Sequence, residues 1–242
     1  MRHQTDRNGN GETSSCNDSA DRRLALWFGW GDTQTVAEVL DRTPGPRDAA
    51  WVEYAFRNAC YSGDYRVVAQ LASDSPAGIQ TPLQRCLAAE LTGAAERAEL
   101  CSQAAARYRE ARDREPAALW PRLLLARTLS LAGRHDEAES EADAAVAMRN
   151  METDSYGRIE ALQVRAMVLA RAGRVDAALK IVEPLLSNPS HLSPARLRID
   201  PEWSSLRGNP RVEQIIRSAR ASSPDHGDPA GDSGRTPRVS EK

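Results

Sequence analysis

Apolar residues recur through the middle of the chain at spacings of three and four, the period of one face of an α-helix. Four glycines interrupt this pattern, each lying between two apolar stretches. They are Gly63, Gly93, Gly133 and Gly173. Glycine readily adopts the left-handed conformation that ends a helix and lets the chain turn back. The pattern therefore predicts a series of helical hairpins. They cover residues 47–74, 81–114, 117–148 and 155–187.

The spacing of the turn glycines also predicts how the hairpins assemble. Successive glycines lie 30, 40 and 40 residues apart, and no stretch between them shows a convincing alternating strand pattern. Helical hairpins repeated at such a period are typical of an α-solenoid, because a single hairpin cannot bury its apolar face alone. We therefore expect an all-α helical-hairpin repeat solenoid over residues 22–218.

Residues 192–218 are rich in apolar side chains but contain too much proline for another full hairpin. Each proline follows a residue that can cap a helix, which predicts three short helical segments. The pairs are Ser193-Pro194, Asp200-Pro201 and Asn209-Pro210. We expect these segments to cover the end of the last hairpin. The side chains expected to meet there are Trp203, Leu206 and Ile215 on one side and Val182, Leu185 and Leu186 on the other.

Both ends of the chain, residues 1–21 and 219–242, are polar and have little apolar surface to bury. We expect them to be disordered, because burial cannot offset the entropy of ordering them. Three aromatic residues, Trp27, Phe28 and Trp30, follow the first tail. They either close the first hairpin as an amino-terminal cap or form an exposed anchor for a partner, and the sequence leaves both readings open.

The overall charge and the cysteines exclude several classes of function. The net charge is −2, so no basic surface for nucleic acid or anionic lipid is expected. No apolar run has the length of a signal peptide or a membrane span, which predicts a cytoplasmic protein. The four cysteines have neither CxxC spacing nor a histidine at zinc-ligand distance. We expect Cys16, Cys60, Cys86 and Cys101 to be reduced, and mostly buried, thiols.

Motifs for catalysis and cofactor binding are missing from the sequence. The glycine pairs at 9–11 and 29–31 lack the lysine and the strand of a phosphate-binding loop. Neither HExxH nor GxSxG occurs, and the four histidines are scattered. The acidic side chains of the stretch 136–143 are distributed around a helix and do not lie along one face. This distribution is typical of a solvent-exposed surface and not of a metal site. We therefore expect no catalytic residue, no metal and no cofactor.

Two stretches of the chain resemble a known repeat. LLLARTLSLAGRHDEAESEADAAVAM (123–148) and EALQVRAMVLARAGRVDAALKIVEPLL (160–186) look like tetratricopeptide repeats. The closing stretch LSNPSHLSPARLRIDPEWSSLRGNPRVEQI (186–215) is similar to the end of tetratricopeptide regions in bacterial signalling proteins. Those regions follow an effector, such as a nucleotide cyclase, a serine/threonine kinase, or a winged-helix or TolB-like module. The glycine steps of 40 residues exceed the usual 34 of the family, and no effector motif is present.

The resemblance implies a non-catalytic scaffold for protein–protein interaction or regulation, which binds a protein or peptide in its concave groove. Counting back from the turn glycines gives candidate groove residues on the first helix of each hairpin. They are Glu53, Arg57, Leu87, Glu90, Leu123, Arg127, Gln163 and Met167. Charge reversal at Arg57 and Arg127 is expected to weaken binding without unfolding the protein. The alternatives are an effector-less remnant of a larger signalling protein and an enzyme on a helical scaffold.

Overall fold

The computed structural model describes residues 31–42, 48–74, 81–148, 154–187 and 192–222, with side chains up to residue 218. Every regular element in these ranges is a helix, which confirms the all-α class. None of the described helices is both long enough and apolar enough to cross a membrane. The expected amino-terminal tail and the aromatic set Trp27, Phe28 and Trp30 lie outside the described residues. Of the expected carboxyl-terminal tail, residues 219–222 belong to the last helix, which corrects that boundary.

The described residues form eleven α-helices and one 3-10 helix. They are α1 (Thr33–Arg42), α2 (Ala49–Ser62), α3 (Tyr65–Asp74), α4 (Thr81–Thr92), α5 (Arg97–Arg114), α6 (Leu119–Leu131), α7 (His135–Val146), α8 (Ser155–Arg171), α9 (Val175–Ser187), α10 (Pro194–Ile199), the 3-10 helix (Pro201–Leu206) and α11 (Pro210–Ser222). From α1 to α9, each helix packs against the next one along the chain. The first helices of three hairpins, α4, α6 and α8, also pack side by side.

The four turn glycines end α2, α4, α6 and α8 as the sequence predicts. Each has a φ between 66° and 78°, the left-handed region that other residues avoid. In each turn the residue after the glycine donates its N–H to the carbonyl five residues earlier, for example Asp64 to Ala59 and Arg134 to Leu129. This bond is the Schellman closure, and it satisfies carbonyl groups that the helix end would otherwise leave unpaired.

Small residues let the helices approach closely in the middle of the chain. On α7, the buried face consists of Ala138, Ala142 and Ala145, all fully inaccessible to solvent. This face packs between α6 and α8. The helix α6 begins at Leu119, two residues after the expected start of this hairpin at 117, because residues 115–118 form a turn that precedes it. Pro121 therefore lies in the first turn of α6, where a missing N–H costs no helical hydrogen bond.

The second hairpin contains a disulfide between Cys86 on α4 and Cys101 on α5. Both cysteines are fully buried, and their Cα atoms are 4.7 Å apart. The expectation of reduced thiols is therefore wrong for this pair. The two residues are 15 positions apart in sequence and meet because they lie on the facing sides of two antiparallel helices, a contact that no CxxC-type spacing indicates. Cys60 is a free, buried thiol, and Cys16 lies outside the described residues.

We expect the disulfide to stabilise the fold appreciably. It spans 15 residues, and closing a loop of that length stabilises a protein by about 3 kcal/mol. The double variant Cys86→Ala/Cys101→Ala should lose about that much free energy of unfolding in denaturant titrations. In the denatured, unreduced chain, thiol titration should detect at most two of the four cysteines. Detection of all four would contradict the disulfide.

The carboxyl-terminal segment, residues 192–222, folds as capped short helices. Ser193 accepts a hydrogen bond from Arg196 N, and Asp200 accepts one from Glu202 N at 3.0 Å. Asn209 Oδ1 accepts from Arg211 N at 2.9 Å. These bonds satisfy first-turn N–H groups that have no partner within their own helix. The three predicted helix starts are therefore confirmed, and the last helix runs on to Ser222.

The expected burial of Trp203 and Leu206 is confirmed, but the surface that they cover differs from the prediction. Trp203 is 0% exposed. The 3-10 helix that carries it packs against α8 and α10, whereas α11 packs against α9 and α10. On α11 the buried residues are Val212 and Ile216, and Ile215 is only half-buried. One residue of helix rotates a side chain by about 100°, which accounts for this difference.

Removing the Trp203 side chain should destabilise the protein strongly. We expect Trp203→Ala to lower the free energy of unfolding by about 3–5 kcal/mol, the usual cost of a large cavity. Trp203→Phe is the matched control. Because Trp203 Nε1 is buried without a hydrogen-bond partner in the described part of the chain, phenylalanine removes an unsatisfied donor and should cost much less. Equal losses for the two variants in urea unfolding would contradict a packing role for the ring.

Candidate functional site

A pocket lies where the first helices of all four hairpins meet the carboxyl-terminal segment. Its walls come from α2, α4, α6 and α8, and from residues 196–202. The cavity has a volume of about 320 Å³. This arrangement results from the hairpin repeat, because it places three of these first helices, α4, α6 and α8, side by side. Polar and charged side chains line much of the pocket, although it lies against the apolar core.

The pair Arg127–Glu202 joins α6 to the 3-10 helix across 75 residues of sequence. Arg127 Nε donates to Glu202 Oε1 at 3.1 Å, and Nη2 donates to Oε2, so the contact is bidentate. The side chains are only 24% and 10% exposed. Burial raises the pKa of Glu202, but the charge and hydrogen bonds of Arg127 outweigh it, and the net shift is downward. Glu202 is therefore ionised at neutral pH.

A second buried group is centred on Asp200. Arg196 Nε and the Tyr61 hydroxyl both donate to Asp200 Oδ2, each at 3.3 Å. Arg196 Nη1 donates to Gln163 Oε1 at 2.9 Å. Burial, followed by the charge of Asp200, raises the pKa of Tyr61 to about 12, so that its hydroxyl stays protonated and remains a donor. Asp200 thus caps the 3-10 helix and also links it to α2, which lies 139 residues earlier.

The third ion pair lies on α2 itself. Arg57 Nη2 donates to Glu53 Oε1 at 2.8 Å, one helical turn away. Gln84 of α4 donates to the other oxygen of Glu53. Although burial lowers the pKa of Arg57, its interactions with Tyr61 and Glu53 raise it further, and the guanidinium stays charged. Each of the three pocket arginines therefore has a carboxylate partner of its own.

Two exposed aromatic side chains lie at the rim of this pocket. Trp120 is 44% exposed and Tyr156 is 50% exposed, and their ring centroids are 6.3 Å apart. Gly157 follows Tyr156 at the start of α8. A Cβ there would meet the carboxylate of Asp154 and would lie 2.9 Å from Leu119 Cδ2, so a larger residue would displace both side chains. Large aromatic side chains left in solvent next to a pocket are typical of a binding surface.

The remaining charged side chain of the pocket is Glu160. It is half-buried and lies one helical turn after Tyr156 on α8. In the described residues, Glu160 makes no ion pair. Cys60 also lines the pocket, and burial raises the pKa of its thiol well above the usual value, which keeps it protonated and weakly nucleophilic. No group of three or more His, Cys, Asp or Glu side chains that could hold a metal occurs among the described residues.

Half of the predicted groove residues line this pocket. They are Glu53, Arg57, Leu87 and Arg127. The other four do not. Leu123 and Met167 are buried in the core, and Gln163 is buried while holding Arg196. Glu90 lies in a separate depression, where it pairs with Arg97 and Arg171 at 2.8 Å and 2.7 Å. Helical phase explains the difference, since a one-residue error in the assumed face turns a side chain from the groove into the core.

Several pocket residues were not predicted from the sequence. They are Trp120, Tyr156, Glu160, Arg196, Asp200 and Glu202. A signal existed for the last three, because charged residues within an otherwise apolar capping segment must find partners when buried. The structure also corrects the expected effect of charge reversal at Arg57 or Arg127. Replacing either arginine by an acidic residue would place two carboxylates next to each other in a largely buried position. We therefore now expect either change to destabilise the fold.

Comparisons of this chain with known protein families, with curated proteins and with solved structures found no match. The resemblance to tetratricopeptide regions therefore rests on the residues of this chain alone. The structural observations that bear on function are the pocket, its ion pairs and the aromatic rim.

We expect Glu202→Gln to destabilise the protein by about 3 kcal/mol at neutral pH, because it leaves the charge of Arg127 without its carboxylate. The pH dependence should change as well. The folded-state pKa of Glu202 is depressed, so its contribution is present above the ordinary value of 4.5 and is lost as the pH falls through the lower folded value. Urea unfolding between pH 7 and pH 3 measures both effects.

Glu110→Gln is the matched control for this prediction. Glu110 pairs with Arg114 on the surface of α5, where both side chains are about 70% exposed. Its replacement should change the free energy of unfolding by less than about 0.5 kcal/mol. The same loss in both variants, or an unchanged acid profile in Glu202→Gln, would contradict the buried role of Glu202.

Proposed function

We propose that this protein is a non-catalytic interaction module, a tetratricopeptide-like α-solenoid that binds a peptide or protein partner in the pocket. The observation that carries the proposal is the exposed pair Trp120 and Tyr156 at the rim of a pocket built by all four hairpins. Aromatic side chains with both apolar area and a polar edge dominate the energy of many interfaces. A partner that covers this pair would bury a large apolar surface.

The ion pairs of the pocket support binding with little reorganisation. Arg57, Arg127 and Arg196 are each held in place by a carboxylate, so their rotamers are fixed before a ligand arrives. Binding to ordered side chains avoids the entropy cost of immobilising them. The volume of about 320 Å³ is near the lower end of ligand pockets. It suits one or two side chains of a longer peptide whose remaining residues lie across the first helices.

The resemblance of the closing stretch 186–215 suggests a role in bacterial signalling, and this is part of the proposal. The same binding role would apply if the chain were an effector-less remnant of a multidomain signalling protein. The disulfide Cys86–Cys101 favours an oxidising compartment over the cytoplasmic location expected from the sequence.

Peptide display on the full chain tests the proposal. We expect selected peptides to bind Trp120→Ala at least about tenfold more weakly than the unmodified protein, because the variant loses a rim anchor. The unfolding midpoint should fall much less than in Trp203→Ala, because nearly half of the Trp120 side chain is already exposed. Isothermal titration calorimetry and thermal unfolding measure the two effects, and binding should persist when residues 1–21 and 223–242 are deleted.

Tyr65→Ala is the matched control, because Tyr65 is also an exposed aromatic residue but lies on α3, outside the pocket. It should leave the affinity unchanged. Failure to select any peptide, or peptides that respond to Tyr65→Ala and not to Trp120→Ala, would overturn the proposed function.

A further inference from the structure

The charges that line the pocket do not cancel. Three arginines face four carboxylates, and each arginine already has its own acidic partner. The pairs are Arg57–Glu53, Arg127–Glu202 and Arg196–Asp200. The carboxylate left over belongs to Glu160, which makes no ion pair in the described part of the chain. The pocket therefore has one net negative charge, and it is carried at the side chain that shares a helix face with Tyr156.

The position of Glu160 beside the aromatic rim selects a chemical class of ligand. We propose that the mouth of the pocket, formed by Trp120, Tyr156 and Glu160, receives an arginine or lysine side chain of the bound peptide. This inference rests on the proposed function, since it names the group that the interaction site recognises. A cation would meet the unpaired carboxylate directly and would also be attracted to the faces of the two rings. The apolar stem of an arginine or lysine would pack along those rings.

An acidic ligand fits the same pocket poorly. To reach Arg196, it would have to displace Asp200, which also caps the 3-10 helix and accepts the Tyr61 hydroxyl. To reach Arg57, it would compete with Glu53, which Gln84 holds in place. Glu160 would repel it at the entrance. The arginines of the pocket therefore hold its walls in place, and the group that recognises the ligand is the negatively charged Glu160.

Tyr156 at the rim stays uncharged at neutral pH. Burial, and after it the charge of Glu160, raises the pKa of Tyr156, so its phenol is uncharged. The ring thus keeps the neutral face that attracts a cation.

Peptides selected on the full chain test the inference. We expect them to share an arginine or lysine, and replacing that arginine by citrulline, which keeps the shape but removes the charge, should weaken binding by roughly tenfold. Glu160→Gln should cause a similar loss. In the Glu160→Gln variant, replacing the peptide arginine by citrulline should weaken binding little further, because both changes remove the same contact between the arginine and Glu160. The control Glu110→Gln should leave the affinity unchanged.

Peptide binding and the choice of a basic side chain can fail independently. Selected peptides that depend on Trp120 but carry no basic residue would overturn the inference and leave the interaction module intact. Additive losses from citrulline and Glu160→Gln would also overturn it, since independent effects exclude a direct contact. If no peptide binds at all, both proposals fail. Thermal unfolding of Glu160→Gln should stay close to that of the unmodified protein, because Glu160 has no ion pair to lose and its attraction to Arg196 acts at longer range.

Discussion

The bidentate contact between Arg127 and Glu202 is the interaction on which the pocket depends. Moving a guanidinium and a carboxylate out of water is costly, and only a partner with good geometry offsets that cost. Arg127 belongs to the third hairpin, and the carboxylate that it contacts comes from the carboxyl-terminal segment. The neighbouring contacts of Asp200 with Tyr61 and Arg196 follow the same rule. The segment that covers the apolar end of the helices is therefore also a wall of the site.

The stability of the fold and the geometry of the pocket are linked through this segment. Trp203 and Leu206 anchor the 3-10 helix on α8, and the same short helix presents Glu202 to Arg127. The apolar anchors supply the free energy that holds the charged groups in place, and the charged groups give the pocket a single arrangement. The disulfide between α4 and α5 acts similarly at the other wall, because Cys86 lies between two pocket residues, Gln84 and Leu87.

Most of the local structure could be predicted from the sequence. Periodicity, turn glycines and cap–proline pairs define the helices, and the apolar character of Trp203 and Leu206 predicts their burial. The relative arrangement of the helices could not be predicted in this way. An apolar stripe shows which face of a helix is buried, but the angle and phase at which two helices cross depend on side-chain packing along the whole contact. Hence Leu123 and Met167 lie in the core, and Cys86 meets Cys101.

A stack of hairpins is usually built from contacts between neighbours, so that it can grow from its amino-terminal end as the chain is synthesised. In this protein, two contacts join residues that are far apart in sequence. Asp200 and Tyr61 are 139 residues apart, and Glu202 and Arg127 are 75 residues apart. On the ribosome, Arg57 emerges together with its partner Glu53, but Arg127 emerges long before Glu202, the acid that compensates it. Until the carboxyl-terminal segment is made, the nascent pocket therefore contains one uncompensated arginine, and its net charge becomes negative only when synthesis is almost complete.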